Sequence, residues 1–169
     1  MKILDLEDHM RITSAVPVVV GVVLGIVASA AVRGDNAAQQ SAGRRTVIRP
    51  EKAPNTGLPF SPGILVGNTL YVSGHLGRDP VTSALVPGGI EPETRQALAN
   101  IREVLRTAGM DFTHVTSVTA YIASFDDFAT FNKVYRETFP ADPPARATVQ
   151  VAALNDKARI ELQMIAVKP

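Results

Sequence analysis

The chain contains no cysteine. Disulfides, thiol nucleophiles and cysteine-ligated zinc are excluded together, and compartment cannot be read from redox chemistry. Histidine is scarce. His9, His75 and His114 are the only three, no two have metal-ligand spacing, and no carboxylate motif joins them, so no metal site is expected. Neither sign of charge is in excess: the net charge is +1, which gives no electrostatic case for nucleic acid. A Gly-rich phosphate loop is also lacking. Gly88-Gly89 precedes a helical pattern, but Glu91 and Glu93 stand where an anion would dock and repel it. No internal repeat is visible.

What is present is an ordinary globular composition, 46% hydrophobic over 169 residues, enough for one domain and an extra segment. The extra segment is N-terminal. Ala15 to Val32 reads "AVPVVVGVVLGIVASAAV", about 18 residues and near the lower limit for a membrane span. It contains Ala28-Ser29-Ala30, the A-x-A form of a signal-peptidase site. Lys2 and Arg11 precede it, but so do Asp5, Glu7 and Asp8, and basic residues flank both ends. A cleaved export signal, an uncleaved anchor and a buried helix all remain open. The first two predict an exported or membrane-anchored protein. Residues 1–32 are assigned to that signal peptide or anchor. Residues 33–45, "RGDNAAQQSAGRR", read as a linker, and residues 46–169 as the folded domain.

Within the domain, "TVIRP" is a short strand, and "ILVGNTLYVSG" is two strands about a Gly67-Asn68 turn. From Pro92 the period changes. Ala97, Leu98, Ile101, Val104, Leu105 and Ala108 follow helical spacing, with Gly109 placed as a C-terminal cap. "HVTSVTAYIAS" is a strand rich in β-branched residues. A second helix starts near Asp126, whose carboxylate can cap it, carries Phe128, Phe131, Tyr135 and Phe139 near one face, and stops at Pro140. Ala145–Ala153 and Arg159–Val167 then form two strands, joined as a hairpin by "LNDK". The order predicts an α+β, two-layer domain: a mixed six-stranded sheet with both helices on one face. The other face stays open in a monomer, and its small and apolar residues argue for an oligomer.

The last hairpin carries the most chemistry. With its turn at Asn155, Thr148 lies opposite Glu161 and Arg146 opposite Gln163. On one reading this is a cross-strand ion pair on a solvated face. On the other it is a carboxylate clamp, in which the Arg146 guanidinium forks onto a substrate carboxylate and Glu161 handles a proton or orients a water. In "YVSGH", Ser73 is a nucleophile only with a base nearby, and nothing in the sequence places His75 in that role; a strand-exit turn accounts for it.

Several stretches resemble the Rid family of reactive-intermediate deaminases, the RidA/YjgF type. They are "NTLYVSGHLGRDP", "LVPGGIEPETRQALANIREVLRTAGM", "VTAYIASFDDFATFNKVYRETFP", "PPARATVQVAAL" and "IELQMIAV", in family order from about Thr46 to Pro169. The resemblance implies a chorismate-mutase-like fold and a homotrimer with a central barrel and sites between subunits. It implies cofactor-free hydrolysis of 2-imino or enamine acids, such as 2-iminopropanoate from 2-aminoacrylate, to 2-keto acids and ammonia. Arg146 matches the family arginine that holds the substrate carboxylate, and Glu161 the glutamate at the attacking water. Ser73, Gly74 and Asn132 match pocket-lining positions, and Thr148 stands where a small polar residue or cysteine is common. Phe60 stands where active members often carry a tyrosine, His75 where glutamine is usual, and Gln163 in place of a second glutamate. Phe60 cannot donate a hydrogen bond. The alternative reading is a non-catalytic trimeric module that binds a small carboxylate or a protein.

Overall fold

Apolar and polar residues alternate along the strands, and the two helices each carry one apolar stripe. In the computed structural model these faces meet in two layers. The chain divides into two units, Met1–Ser41 and Ala42–Pro169. The structure describes residues 43–51, 53 and 57–169. The expected signal or anchor and most of the linker lie outside the described residues.

The elements are β1 (Arg45–Ile48), β2 (Gly63–Val66), β3 (Thr69–Leu76), α1 (Ile90–Thr107), β4 (Val115–Ile122), α2 (Phe128–Thr138), β5 (Ala145–Gln150) and β6 (Ile160–Val167). Strand β2 ends at Val66 and β3 begins at Thr69, so the turn is Gly67-Asn68 as expected. Gly67 takes φ 58°, a left-handed conformation that costs a glycine little. Helix α1 begins with Glu91 and Glu93 in its first turn, where carboxylates favour the helix dipole. It ends on Gly109. The Gly109 N–H donates to the Arg106 carbonyl and the Met110 N–H to the Leu105 carbonyl, both at 2.9 Å, the paired bonds of a Schellman cap.

The start of α2 differs from expectation. The chain first makes a 3-10 turn, Phe125–Asp127, and its cap is Ser124, whose hydroxyl oxygen accepts the Asp126 N–H at 3.1 Å. The Asp126 carboxylate instead accepts the Ser124 hydroxyl at 2.9 Å. Ser124 stands two residues earlier in extended backbone, which is the geometry a cap requires.

The sheet order is β1-β2-β3-β6-β4-β5, six strands with every pairing antiparallel except β4 with β5. Here the expected terminal hairpin fails. Strand β5 returns from α2 as a crossover and pairs parallel to β4 at the sheet edge; β6 pairs with β3 and β4 and does not touch β5. The β5–β6 connection spans the end of β4. It is tied there by the Val151 N–H on the Ile122 carbonyl and the Ala123 N–H on the Arg159 carbonyl, each at 3.0 Å. Adjacency in sequence suggested pairing, but a strand–helix–strand unit returns its second strand in parallel.

Both helices cover one face. Leu70, Val72, Ile101, Leu105, Val118, Ile122, Phe131, Ile160, Leu162 and Met164 are fully buried between the layers. On the open face the pairings align Val47, Ile64, Tyr71 and Ile165 in one row across four strands. Tyr71 and Val47 are about half exposed there, at 50% and 45%.

Just past β3, Gly77 passes against the first turn of α1. A Cβ at Gly77 would stand 2.5 Å from the Glu93 Cα and carbonyl oxygen. A helix backbone cannot yield as a flexible side chain does. Gly77→Ala is therefore expected to destabilise the domain by about 1–3 kcal/mol. The measurement is the denaturant midpoint, which should fall with an unchanged slope; an unchanged midpoint would contradict the close packing.

Candidate active site

Pro143 and Pro144 end the α2 excursion, and β5 follows with Arg146 and Thr148 on one parity. Arg146 is in register with Val118, and Val118 with Met164; Thr148 is in register with Ala120, and Ala120 with Leu162. All four partners are buried under the helices, so Arg146 and Thr148 point to the helix side. The Arg146 Nη2 donates to Asn132 Oδ1 at 2.7 Å. Its Cζ lies 4.4 Å from the Tyr135 ring centroid and 5.0 Å from that of Phe131. The guanidinium is thus held by two rings and an amide. Asn132 occupies one of its five N–H donors, and no carboxylate among the described residues pairs with it. A fork of donors remains for a planar anion.

Two polar atoms near this cation lack partners among the described residues: Thr148 Oγ1 and Tyr135 Oη, both buried. Burial pushes the Tyr135 hydroxyl up to about 12, with Arg146 opposing the shift, so it is a neutral phenol near pH 7.

Glu161 belongs to a second cluster. It is in register with Tyr121 on one side and Leu76 on the other, and Tyr121 with Val149; this row lies on the open face. Between the Val72–Met164 and His75–Leu162 pairs, β3 carries two residues, Ser73 and Gly74, against the single Gln163. This is a β-bulge. The Glu161 carboxylate lies over it, so that a Cβ at Gly74 would be 1.7 Å from Glu161 Oε1. Glycine at 74 is what leaves room for the carboxylate. Burial pushes the Glu161 pKa above its ordinary value.

The Ser73 hydroxyl and N–H both donate to the Pro62 carbonyl, at 3.2 and 3.0 Å. The hydroxyl is therefore a strand-exit tie, with no hydrogen bond to His75. Burial lowers the His75 pKa to about 4, the Pro62 carbonyl partly opposing, so its ring is neutral at pH 7. Phe60 stands half exposed in the loop before β2.

The expected sharing of one patch by Arg146, Thr148, Glu161 and Gln163 is thus corrected. Thr148 does not oppose Glu161, nor Arg146 Gln163, because β4 and not β6 lies beside β5. Arg146 and Glu161 form no ion pair; they face opposite sides of the sheet. Arg146, Thr148 and Asn132 gather on the helix side, and Glu161, Gly74 and Ser73 at the bulge. Phe131 and Tyr135 were read from sequence only as core. Their position beside Asn132, four residues apart and one turn long, was the available sign of a cradle.

The two-layer domain thus holds a ring-stacked arginine at one edge of its sheet and a partly desolvated glutamate over a glycine bulge. Residues 50–168 match the family model described as Endoribonuclease L-PSP, and the chain belongs to that family. It is 48% identical over 124 residues to the 2-iminobutanoate/2-iminopropanoate deaminase of Bos taurus, covering 73% of this chain and 90% of that protein. The crystal structure of RidA from Psychrobacter sp. PAMC 21119 is similar at TM-score 0.69 and 34% identity, covering 73% of this chain and 99% of that one. The E. coli YjgF gene product is similar at TM-score 0.69 and 31% identity, with the same coverage.

The exported or membrane-anchored location does not stand. The bovine relative is an imine deaminase matched over 90% of its length, and among the described residues no helix is long and apolar enough to cross a membrane. The expectation rested on a run of minimal length behind the acidic residues Asp5, Glu7 and Asp8, a poor signal on physical grounds. The run itself lies outside the described residues.

A carboxyl group whose pKa is raised on folding contributes stability at low pH that is lost as pH rises through the folded value. Glu161→Gln removes that loss. The melting temperature of Glu161→Gln minus that of the unsubstituted protein is expected to be more positive at pH 8 than at pH 4. A difference independent of pH would contradict the burial of the Glu161 carboxylate.

Proposed function

We propose that the protein hydrolyses 2-imino acids, and the enamine acids that tautomerise to them, to 2-keto acids and ammonia, at sites shared between protomers of a homotrimer. The observation that carries this reading is the Arg146 guanidinium, held on Asn132 and the Tyr135 and Phe131 rings with donors to spare. Arg146 anchors the substrate carboxylate. The 2-iminobutanoate and 2-iminopropanoate named for the bovine relative have the matching chemistry, a carboxylate beside a C=N bond.

Water adds to the imine carbon. The new C–O bond forms as the C=N π pair moves to nitrogen, which takes a proton. The carbinolamine then collapses: its hydroxyl proton passes to the nitrogen, C=O forms, the C–N bond breaks and ammonia leaves. Glu161, with its raised pKa, takes the proton of the attacking water and returns it to the nitrogen. Gly74 gives the carboxylate its position, and Ser73, Asn132 and Thr148 line the pocket. Phe60 adds an apolar wall without a hydroxyl.

Arg146 and Glu161 face away from each other in one chain, so one ligand reaches both only if two protomers contribute. The apolar open face supports the same assembly: packed as a barrel of three sheets, it would bury Val47, Ile64, Tyr71 and Ile165. The family model's description names RNA cleavage, but a net charge of +1 offers little attraction for a polyanion. The relatives named as deaminases favour turnover over a binding-only module.

Removing one partner of a desolvated charge pair costs about 2–5 kcal/mol. Arg146→Ala is therefore expected to lower kcat/KM by roughly 30-fold or more, measured as keto-acid release from enzymatically generated 2-aminoacrylate. Arg146→Lys should rescue little, since an ammonium lacks the planar fork. Unchanged kinetics in folded Arg146→Ala would remove the site assignment. Light scattering should give a trimer at micromolar concentration, and a stable monomer would defeat the shared site.

A further inference from the structure

Two buried carboxylates lie outside the proposed site, and both act on one residue. Glu93, 5% exposed, and Asp127, 8% exposed, are the only buried acidic side chains among the described residues. Buried carboxylates need partners. The Arg159 N–H donates to Glu93 Oε2 at 2.7 Å. The Arg159 guanidinium donates to Asp127 Oδ2 through Nε at 2.7 Å and Nη2 at 2.6 Å. The Arg159 carbonyl accepts the Ala123 N–H at 3.0 Å. Arg159 is therefore tied by backbone N–H, backbone carbonyl and side chain. It stands immediately before β6 and two residues before Glu161.

We infer that Glu93 is a positioning residue for Glu161: from the first turn of α1 it fixes the start of β6 through Arg159, and so sets where the Glu161 carboxylate stands over Gly74. The inference rests on the role given to Glu161 under Proposed function. A one-residue slip of a strand turns every side chain to the other face. In β6 such a slip would carry Glu161 into the core and Ile160 or Leu162 onto the open face. The clamp at Arg159 opposes it. The same helical turn also bounds β3, because Gly77, three residues past Gly74, packs against the Glu93 backbone. Both sides of the Gly74–Glu161 contact are thus referred to Glu93. A side-chain acceptor serves here because the Arg159 N–H, just ahead of the β6 ladder, is a donor without a ladder partner.

The test compares Glu93→Ala, Glu93→Met, Glu93→Gln and Glu161→Gln in the full-length protein. Keto-acid release from 2-iminopropanoate generated in situ is followed well below each melting transition. Misplacing a catalytic group by about 1 Å lowers rate by up to ~100-fold, so Glu93→Ala and Glu93→Met, neither of which can accept the Arg159 N–H, should lower kcat by roughly 10- to 100-fold. KM should stay within about twofold, since Arg146 still anchors the carboxylate. Glu93→Gln keeps an acceptor and should restore most of kcat. Should Glu93→Ala fail to fold, Glu93→Met, which fills the same space, decides. Unchanged kcat in either folded variant without the acceptor, with kcat lost in Glu161→Gln, overturns the positioning role alone. Unchanged kcat in Glu161→Gln overturns the reading of Glu161 and the positioning role together.

Discussion

Strand β6 is hydrogen-bonded along both edges, to β3 and to β4, and the rest of the domain is arranged about that placement. Its core-side residues Ile160, Leu162, Met164 and Ala166 are buried, and its other parity carries Glu161, Gln163 and Ile165. Because β6 occupies the middle, β5 is confined to the edge and pairs only with β4. Arg146 consequently sits at a border, with one side against α2 and the other beyond the sheet. Glu161 sits at the centre of the open face. One pairing choice separates the proposed anion anchor from the proposed proton carrier.

That separation gives each group the environment its chemistry needs. A cation stacked on two rings keeps its charge and loses little of its donor capacity. A carboxylate under partial burial, with no cation beside it, has a raised pKa and a stronger pull on a water proton. Placed side by side in one chain, the two would form an ion pair, and each would neutralise the other. The two-faced arrangement prevents this within one chain. In the proposed trimer a second protomer would bring its own group, with a ligand between them, and oligomerisation would be part of the site.

Much of this was legible in the residues. The Gly67-Asn68 hairpin, the stripe of α1 and its Gly109 cap, and the aromatic face of α2 follow from local rules, and each has its expected place. The cap at Ser124 in place of Asp126 is an error of two residues, which local rules seldom resolve. The β5–β6 pairing is a larger error, and its cause is physical. Period-2 alternation says that a segment is a strand and which side chains share a face. It says nothing about which strand lies next to it. Arg146 and Glu161 were singled out by strand alternation as an ion pair or a clamp and matched to family positions through a resemblance, whereas the cradle of Phe131 and Tyr135 and the clamp at Glu93 depend on packing between elements far apart in sequence. Buried polar residues on an apolar stripe, as Glu93 is, were the one trace of that packing in the chain.

The central claim is that one site takes Arg146 from one protomer and Glu161 from another. Complementation tests it directly. Arg146→Ala and Glu161→Gln protomers, each inactive alone, are unfolded together in equal amounts, refolded and assayed. Random mixing in a cyclic trimer places both native groups in about a quarter of the sites, so about a quarter of the native rate should return. A mixture as inactive as its parents would show that the two groups do not meet across an interface, and the account would fail.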